Sequence, residues 1–187
     1  VDAQEDARLG IGFAEPVDAA TMRAAALDGR IEDMLVWHKV RAGDFFYIPA
    51  NTVHAIGAGV SVIEIQQNSD ITYRLFDYGR PRELHLDEGI AVSRGEVYDL
   101  SRWHRHLPAR GTVALVDGPY FRLDRVSGPA DPALRARYPA GPLMVVPMQG
   151  QITVHGHSVP PGACAKAASL DDIQWENDAT CLVAGAV

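Results

Sequence analysis

The amino-acid sequence predicts a mainly β protein built from two β units, with a short helical insert in the first unit. From Val40 onward, short runs of β-branched and aromatic residues alternate with Gly, Pro, Asn and Asp, which is typical of a β-sandwich or barrel. Helical periodicity is limited to residues 17–40, where Asp18 is the predicted N-cap of a helix that ends at Gly29. These two observations set the fold class.

The predicted elements follow the chain in an order that gives domain boundaries. A strand at 8–13 precedes the helical insert at 17–36, and further strands are predicted at 44–49, 60–66, 71–76 and 150–154. A polar stretch at 96–110 is predicted to connect the two units, and residues 127–142 are predicted to form a long loop or a hairpin connection. The first domain is therefore predicted at 1–95 and a smaller β domain at 111–187.

The composition of the chain argues against nucleic acid and membrane as binding partners. The chain has 187 residues, a formal net charge of −7 and a pI near 5.4, whereas nucleic-acid binding usually needs a basic face. No run of about eighteen apolar residues is present, which excludes a membrane-spanning helix. Cys164 and Cys181 lie in apolar, strand-like contexts, and we expect both to be buried as small hydrophobic residues. The expected compartment is the cytoplasm.

The stretch from Gly43 to His54 carries the first chemical motif. Gly43 predicts a tight turn into a strand, and the turn that ends this strand contains Pro49 and Asn51. The spacing resembles the second motif of the cupins, with Asn51 in place of a glycine because asparagine also tolerates a left-handed backbone. In a cupin, a jelly-roll-like β-barrel, such a histidine points inward and ligates a divalent metal. The alternative is an ordinary turn or core histidine, and the surrounding Gly/Pro/Asn frame favours the ligand.

Further motifs narrow the resemblance to one family. Val-Ile-Glu-Ile-Gln-Gln-Asn-Ser-Asp at 62–70, Thr-Tyr-Arg at 72–74 and Asp-Tyr-Gly-Arg at 77–80 follow the histidine. Over residues 35–92, this set resembles type I mannose-6-phosphate isomerases in their shorter bacterial form. The resemblance implies a catalytic cupin domain, a degenerate cupin-like second unit, one bound Zn²⁺ and a sugar-phosphate substrate. The expected reaction interconverts mannose 6-phosphate and fructose 6-phosphate through an enediol(ate).

The resemblance also implies roles for individual residues. His54 corresponds to a metal ligand and Arg74 to the essential arginine that faces the substrate. For Glu64 the expectation comes from its position, because an ionised carboxylate near a cation inside a barrel can position hydroxyls or move a proton. Val62, Glu64 and Gln66 are predicted to share one face of a strand. A cross-strand ion pair between Glu64 and Arg74 on a solvated face is the structural alternative.

Other polar side chains receive weaker predictions. Asp70 is expected to hold a turn, whereas Arg80 and Arg82 could attract the phosphate but are expected to be solvated loop residues. His155 and His157 flank a glycine at a predicted hairpin tip, and the histidines at 104 and 106 are predicted to lie in the polar connector; all four are expected to be surface residues.

The family's remaining metal ligands are missing from this sequence. They come from a Gln-x-His pair and a Lys-x-Glu segment, and neither occurs here. Because zinc sites use three or four ligands, the others are expected upstream of Val1, and this chain alone is expected to be inactive. Two further interpretations remain open: a non-catalytic cupin module that binds sugar or mediates interactions, and another cupin sugar-phosphate isomerase or epimerase. The oligomeric state is not predicted.

Overall fold

The chain folds as a mainly β protein, as predicted, and forms two compact units. The structure, a computed structural model, describes residues 2–69, 71–139 and 141–187. The first unit comprises the residues up to Glu64 together with Asn68–His106, and the second comprises Ile65–Gln67 together with Leu107–Val187. Among the described residues, no helix has the length and hydropathy needed to cross a membrane.

The first unit consists of small antiparallel sheets. Its strands are β1 Asp2–Ala3, β2 Arg8–Phe13, β3 Leu35–Lys39, β4 Asp44–Phe46, β5 His54–Ile56, β6 Val60–Ser61 and β7 His104–His106. β2 lies at the centre of a sheet with the order β3-β2-β5, while β1 pairs with β6 and β4 pairs with β7. The buried face of β2 supplies much of the core, because Ile11 and Phe13 are fully enclosed.

Short helices complete the first unit: α1 Ala19–Asp28, α2 Ile31–Met34, α3 Leu86–Val92 and α4 Leu100–Trp103. The predicted start and end of α1 are confirmed. The Asp18 carboxylate accepts a hydrogen bond of 2.7 Å from the Thr21 amide, and Gly29 ends the helix with φ 87°. Met22 and two alanines of α1 pack against Phe13.

Two strand predictions in the first unit are wrong. The strand predicted at 60–66 ends at Ser61, because its partner β1 is only two residues long and offers no further backbone groups to pair with. Residues 71–76 form no strand. The predicted connector is also corrected, because 104–106 form β7, which pairs with β4 inside the first unit.

The second unit is a pair of antiparallel sheets around one apolar core. The strands are β8 Val113–Asp117, β9 Phe121–Ser127, β10 Leu143–Gln149, β11 Ile152–Val154, β12 His157–Val159, β13 Ala165–Ala167, β14 Ile173–Trp175 and β15 Thr180–Ala186. They form a five-stranded sheet in the order β13-β10-β15-β9-β8 and a three-stranded sheet in the order β12-β11-β14. Within the described part of this unit, the buried side chains include Val126, Val145, Ile152 and Val183.

The loop predicted at 127–142 contains a helix. α5, Pro132–Arg137, begins at the N-cap Asp131, whose carboxylate accepts a hydrogen bond of 2.7 Å from the Leu134 amide. The expected burial of the cysteines is confirmed for Cys181 and wrong for Cys164, which is exposed.

Candidate functional site

The turn that precedes His54 has the backbone shape expected for the motif. Gly43 has φ 89° and Asn51 has φ 72°, so both adopt the left-handed conformation that glycine and asparagine tolerate. The carbonyl of Asn51 accepts a hydrogen bond of 2.9 Å from the amide of Arg94, and the amide of Thr52 donates to the carbonyl of Pro49 at 3.2 Å. These contacts fix the chain two residues before His54.

His54 presents one ring nitrogen that is available for a ligand. Its Nδ1 lies 2.9 Å from the carbonyl of Thr52. A carbonyl only accepts, so Nδ1 carries a proton, and in the neutral ring Nε2 then keeps its lone pair. His54 is the first residue of β5, an edge strand of its sheet, and pairs with Ile11 of β2. The side chain of His54 is exposed. This is the arrangement in which a histidine ligates a metal through Nε2, with a backbone carbonyl fixing the tautomer.

A complete metal site is not present in the described part of the chain. No group of three or more His, Cys, Asp or Glu side chains there is arranged to hold a metal ion. Structural zinc sites use four protein ligands and catalytic sites use three, so His54 alone does not fit a zinc ion. The metal role of His54 remains a prediction.

Glu64 lies apart from the regular structure of the first unit. It follows β6 by three residues, is exposed, and is not part of a strand. The prediction that Val62, Glu64 and Gln66 share one face of a strand is therefore wrong. Asp70, predicted to hold the next turn, lies outside the described residues.

Arg74 is half-buried and is held by the segment that leads into α3. Its guanidinium Nη1 donates to the carbonyl of Glu83 at 3.0 Å, and its amide donates to Nδ1 of His85 at 3.1 Å. No hydrogen bond or ion pair joins any two of His54, Glu64 and Arg74, so the structural alternative of a Glu64–Arg74 ion pair is not found.

Sequence reasoning missed the ion cluster that follows Arg74. Asp77 is only 4% exposed, and its carboxylate accepts from Arg80 Nη2 and Arg82 Nε, both at 2.6 Å. The hydrogen bond from Arg82 is the main reason that the pKa of Asp77 lies below its usual value. The two arginines are exposed loop residues, as expected, and both also bind this carboxylate. The spacing Asp-x-x-Arg-x-Arg was the available signal, because it lets both arginine side chains contact the aspartate that precedes them.

A second cluster surrounds Asp44 and corrects the prediction for two histidines. Oδ1 of Asp44 lies 2.9 Å from Nδ1 of His106 and 3.2 Å from Nε2 of His104. Both histidines face Asp44 because they stand two residues apart on β7, opposite β4. His155, by contrast, lies with a glycine in the predicted two-residue turn between β11 and β12, with φ 50°.

Known proteins resemble this chain over most of its length. Mannose-6-phosphate isomerase ManA of Bacillus subtilis is 33% identical over 162 residues, which cover 81% of this chain and 50% of that protein. Mannose-6-phosphate isomerase of Streptococcus mutans is 32% identical over 161 residues, with 82% and 51% covered. The chain thus spans about half the length of these curated relatives. A comparison with protein-family models gives no match.

A comparison of folds gives the same result as the sequence comparison. A crystal structure of mannose 6-phosphate isomerase from Bacillus subtilis superimposes with a TM-score of 0.73 and 24% identity, covering 99% of this chain and 62% of that one. The mainly β, cupin-type fold is therefore shared, as the sequence motifs implied. The chain is a homologue of the mannose-6-phosphate isomerases that corresponds to about half of their length.

Proposed function

We propose that this chain is part of a mannose-6-phosphate isomerase and that it supplies the arginine side of the active site. The single observation that supports this is the 33% identity over 162 residues with the Bacillus subtilis isomerase. The reaction is an aldose–ketose isomerisation. A proton leaves the carbon beside the carbonyl group, an enediol(ate) forms, and the proton returns to the neighbouring carbon.

Arg74 is the residue to which we assign stabilisation of the enediolate. Negative charge develops on the substrate oxygens as the proton leaves, and a fixed guanidinium near them lowers the barrier. A guanidinium stays charged at any physiological pH and binds pairs of oxygen atoms in a fixed geometry. Its bond to the carbonyl of Glu83 uses one Nη1 hydrogen and restricts the side chain before substrate arrives. Glu64 remains the residue that is predicted to position the substrate hydroxyls or to move a proton.

The metal belongs to the same proposal, with His54 as one ligand. Zinc bound there would act as a Lewis acid on the substrate oxygens. Because the described residues do not complete a zinc site, the remaining ligands are assigned to sequence that the relatives have in addition to the part matched here. The substrate partner is a small sugar phosphate.

The activity test uses this chain and the same chain extended by the unmatched part of the Bacillus subtilis isomerase. Formation of mannose 6-phosphate from fructose 6-phosphate is measured for both. We expect turnover only in the extended protein. In that protein, Arg74→Ala should lower kcat by roughly 10²–10³-fold, the usual effect of removing one oxyanion donor. Arg110→Ala, on an exposed loop residue of the second unit, is the matched control. Near-normal turnover of Arg74→Ala would remove this residue from the mechanism.

The metal test uses zinc content rather than turnover. The extended protein is expected to bind about one zinc per chain, and His54→Ala to lower this occupancy, because a catalytic site holds its ion with three protein ligands. His157→Ala, which removes an exposed histidine of β12, should leave zinc content unchanged. Equal zinc in the His54→Ala and parent proteins would contradict the ligand assignment.

A non-catalytic cupin module is the second candidate, and one observation favours it. The described residues contain a lone candidate ligand rather than a metal site. Titration calorimetry with mannose 6-phosphate separates the two functions. Binding without turnover in the extended protein would support the module, whereas turnover would support the isomerase.

A further inference from the structure

The backbone around Arg74 has no regular structure, yet it is fixed by reciprocal contacts to one residue. The Arg74 amide donates to Nδ1 of His85 at 3.1 Å, and the His85 amide donates back to the Arg74 carbonyl at 2.8 Å. The Arg74 side chain donates to the carbonyl of Glu83 at 3.0 Å. Arg74 is therefore tied at its backbone and at its guanidinium to the same short segment, 83–85.

The side-chain contact specifies the protonation state of His85. The partner is an amide N–H, which can only donate, so Nδ1 must hold a lone pair. The neutral imidazole with its proton on Nε2 satisfies this contact, whereas the imidazolium, with both nitrogens protonated, does not. The ring also lies edge-on to Tyr73, with 6.1 Å between the ring centroids.

His85 is itself fixed by the helix that follows it. It precedes α3, and its carbonyl accepts a hydrogen bond of 2.8 Å from the amide of Gly89. Leu86 and Ile90 of this helix pack on the buried cluster that contains Phe13. The position of His85 thus depends on the core of the first unit rather than on the loop that contains Arg74.

The close packing of α3 on the arginine segment depends on Gly89. A Cβ atom at this position would lie 2.6 Å from Cδ2 of Leu75 and 3.2 Å from Cβ of Tyr73, the two neighbours of Arg74 in sequence. Heavy atoms do not approach so closely without a shift. The absence of a side chain at Gly89 therefore permits the distance at which Nδ1 of His85 reaches the Arg74 amide.

We propose that His85 is a positioning residue for Arg74. It binds the segment that contains Arg74, which pairs with none of the described strands, to the start of helix α3. The guanidinium of Arg74 is thereby held in the position from which it contacts the substrate. The proposal rests on the proposed function, because it assumes that Arg74 acts on the substrate. It adds a residue whose ring does not need to touch the substrate.

A structural readout tests the contact without any activity. In the ¹⁵N spectrum of the chain at neutral pH, His85 Nδ1 should show the chemical shift of an unprotonated nitrogen, and a protonated Nδ1 would overturn the proposal. In His85→Ala, the Arg74 amide should exchange with solvent at least about fivefold faster, the effect of losing one ordinary hydrogen bond. Unchanged exchange would also overturn it.

Two substitutions separate positioning from general structure. The amide oxygen of asparagine takes roughly the place of Nδ1, whereas the glutamine side chain reaches the place of Nε2. His85→Asn should therefore keep the slow exchange of the Arg74 amide, and His85→Gln should not. Equal behaviour of both variants would contradict a role for the Nδ1 acceptor. His157→Ala, in the second unit, should leave the Arg74 amide unchanged.

Kinetics in the extended isomerase complete the test. Because displacement of a catalytic group by about 1 Å can cost on the order of 10²-fold, we expect His85→Ala and His85→Gln to lose about that factor in kcat with little change in KM. His85→Asn should recover most of it. If Arg74→Ala is inactive but His85→Ala is normal, the positioning role alone fails. If Arg74→Ala is itself near normal, the proposed catalytic role fails and the positioning role falls with it.

Discussion

The two units of this protein are stabilised in different ways. The second unit has a five-stranded sheet, a three-stranded sheet and a continuous apolar core. The first unit has sheets of two and three strands in its described part, and long segments between Ser61 and α3 that pair with no strand. Charged clusters occur in this unit: Arg80 and Arg82 surround Asp77 within one of those segments, and two histidines of β7 lie beside Asp44 of β4.

The two units also differ in whether they contain candidate site residues. Arg74 and Glu64 both lie in the irregular part of the first unit and His54 begins its strand β5, while no candidate site residue lies in the second unit. Loops carry binding and catalytic side chains more often than strands do, provided that a scaffold holds them in place. In the first unit we propose that the His85 contact holds Arg74 in this way, so local polar contacts should matter there more than apolar burial.

A matched pair of isoleucines tests the contrast with the largest expected effect. Ile152 on β11 is 1% exposed in the core of the second unit, whereas Ile71 in the first unit is 65% exposed. Ile152→Ala should lower the free energy of unfolding by roughly 2–5 kcal/mol, and Ile71→Ala by less than about 0.5 kcal/mol. Urea unfolding of both variants measures this. Similar losses would show that the irregular segment is as tightly packed as the core.

The second unit also holds a polar group whose loss should be costly. Asp124 is 1% exposed and accepts hydrogen bonds from the Tyr138 hydroxyl at 2.6 Å and Arg137 Nε at 3.1 Å. Burial, followed by this carboxylate, raises the pKa of Tyr138 above its usual value. Asp124→Ala should cost about 3 kcal/mol, the lower end for a broken buried pair, because the Arg137 side chain stays 27% exposed and can be hydrated.

Tyr138→Phe provides the control for the Asp124 experiment. It removes one hydroxyl but leaves the Asp124–Arg137 pair in place, so a loss of about 1 kcal/mol is expected in the same unfolding assay. If Tyr138→Phe were as damaging as Asp124→Ala, the hydroxyl bond would be the main contribution and the ion pair a minor one.

Local signals in the sequence predicted several elements correctly. Asp18 and Gly29 fixed the ends of α1 because helix caps are chosen by backbone chemistry within a few residues. The left-handed backbone of Asn51 was predictable for the same reason. The fold class followed from the spacing of apolar runs, which does not depend on which strands pair.

Elements that depend on distant partners were not predictable in this way. Residues 62–66 have strand-forming side chains but pair with none of the described strands. β7 is polar, with the sequence His-Arg-His, and becomes a strand only because β4 offers Asp44 opposite His106. Two missed helices had local signals that were available: Asp131 before Pro132 for α5, and acidic residues in the first turn of α3.

The turn before His54 permits a smaller test of the first unit. Asn51 has φ 72°, a conformation that glycine adopts freely and alanine does not. Asn51→Ala should lower the unfolding free energy by about 1 kcal/mol, while Asn51→Gly should be close to neutral. Thermal unfolding of the two variants is the measurement. Equal stability of both would mean that the turn relaxes to another backbone shape, which would weaken the argument that it fixes His54.

The Asp44 cluster gives the smallest expected effect, and it depends on pH. Burial raises the pKa of Asp44, but hydrogen bonds from the Arg41 amide and then from His106 and His104 outweigh it and leave the pKa below its usual value. The Arg41 guanidinium also lies beside Asp44, with 3.9 Å between Nε and Oδ1. His38 lies near His104, and burial lowers its pKa, so it adds little positive charge near neutrality.

For a carboxyl group with a lowered pKa, the stabilisation is fully present above the unfolded pKa of about 3.9 and is lost as the pH falls through the folded value. The parent chain should therefore lose stability relative to Asp44→Asn as the pH drops below about 4. Urea unfolding across pH 3–7 measures it. A stability difference that is the same at every pH would show that the histidines and the Arg41 amide contact Asp44 without favouring its charged form. The ion cluster would then contribute little to the stability of the first unit, in contrast to the contribution of the apolar core in the second.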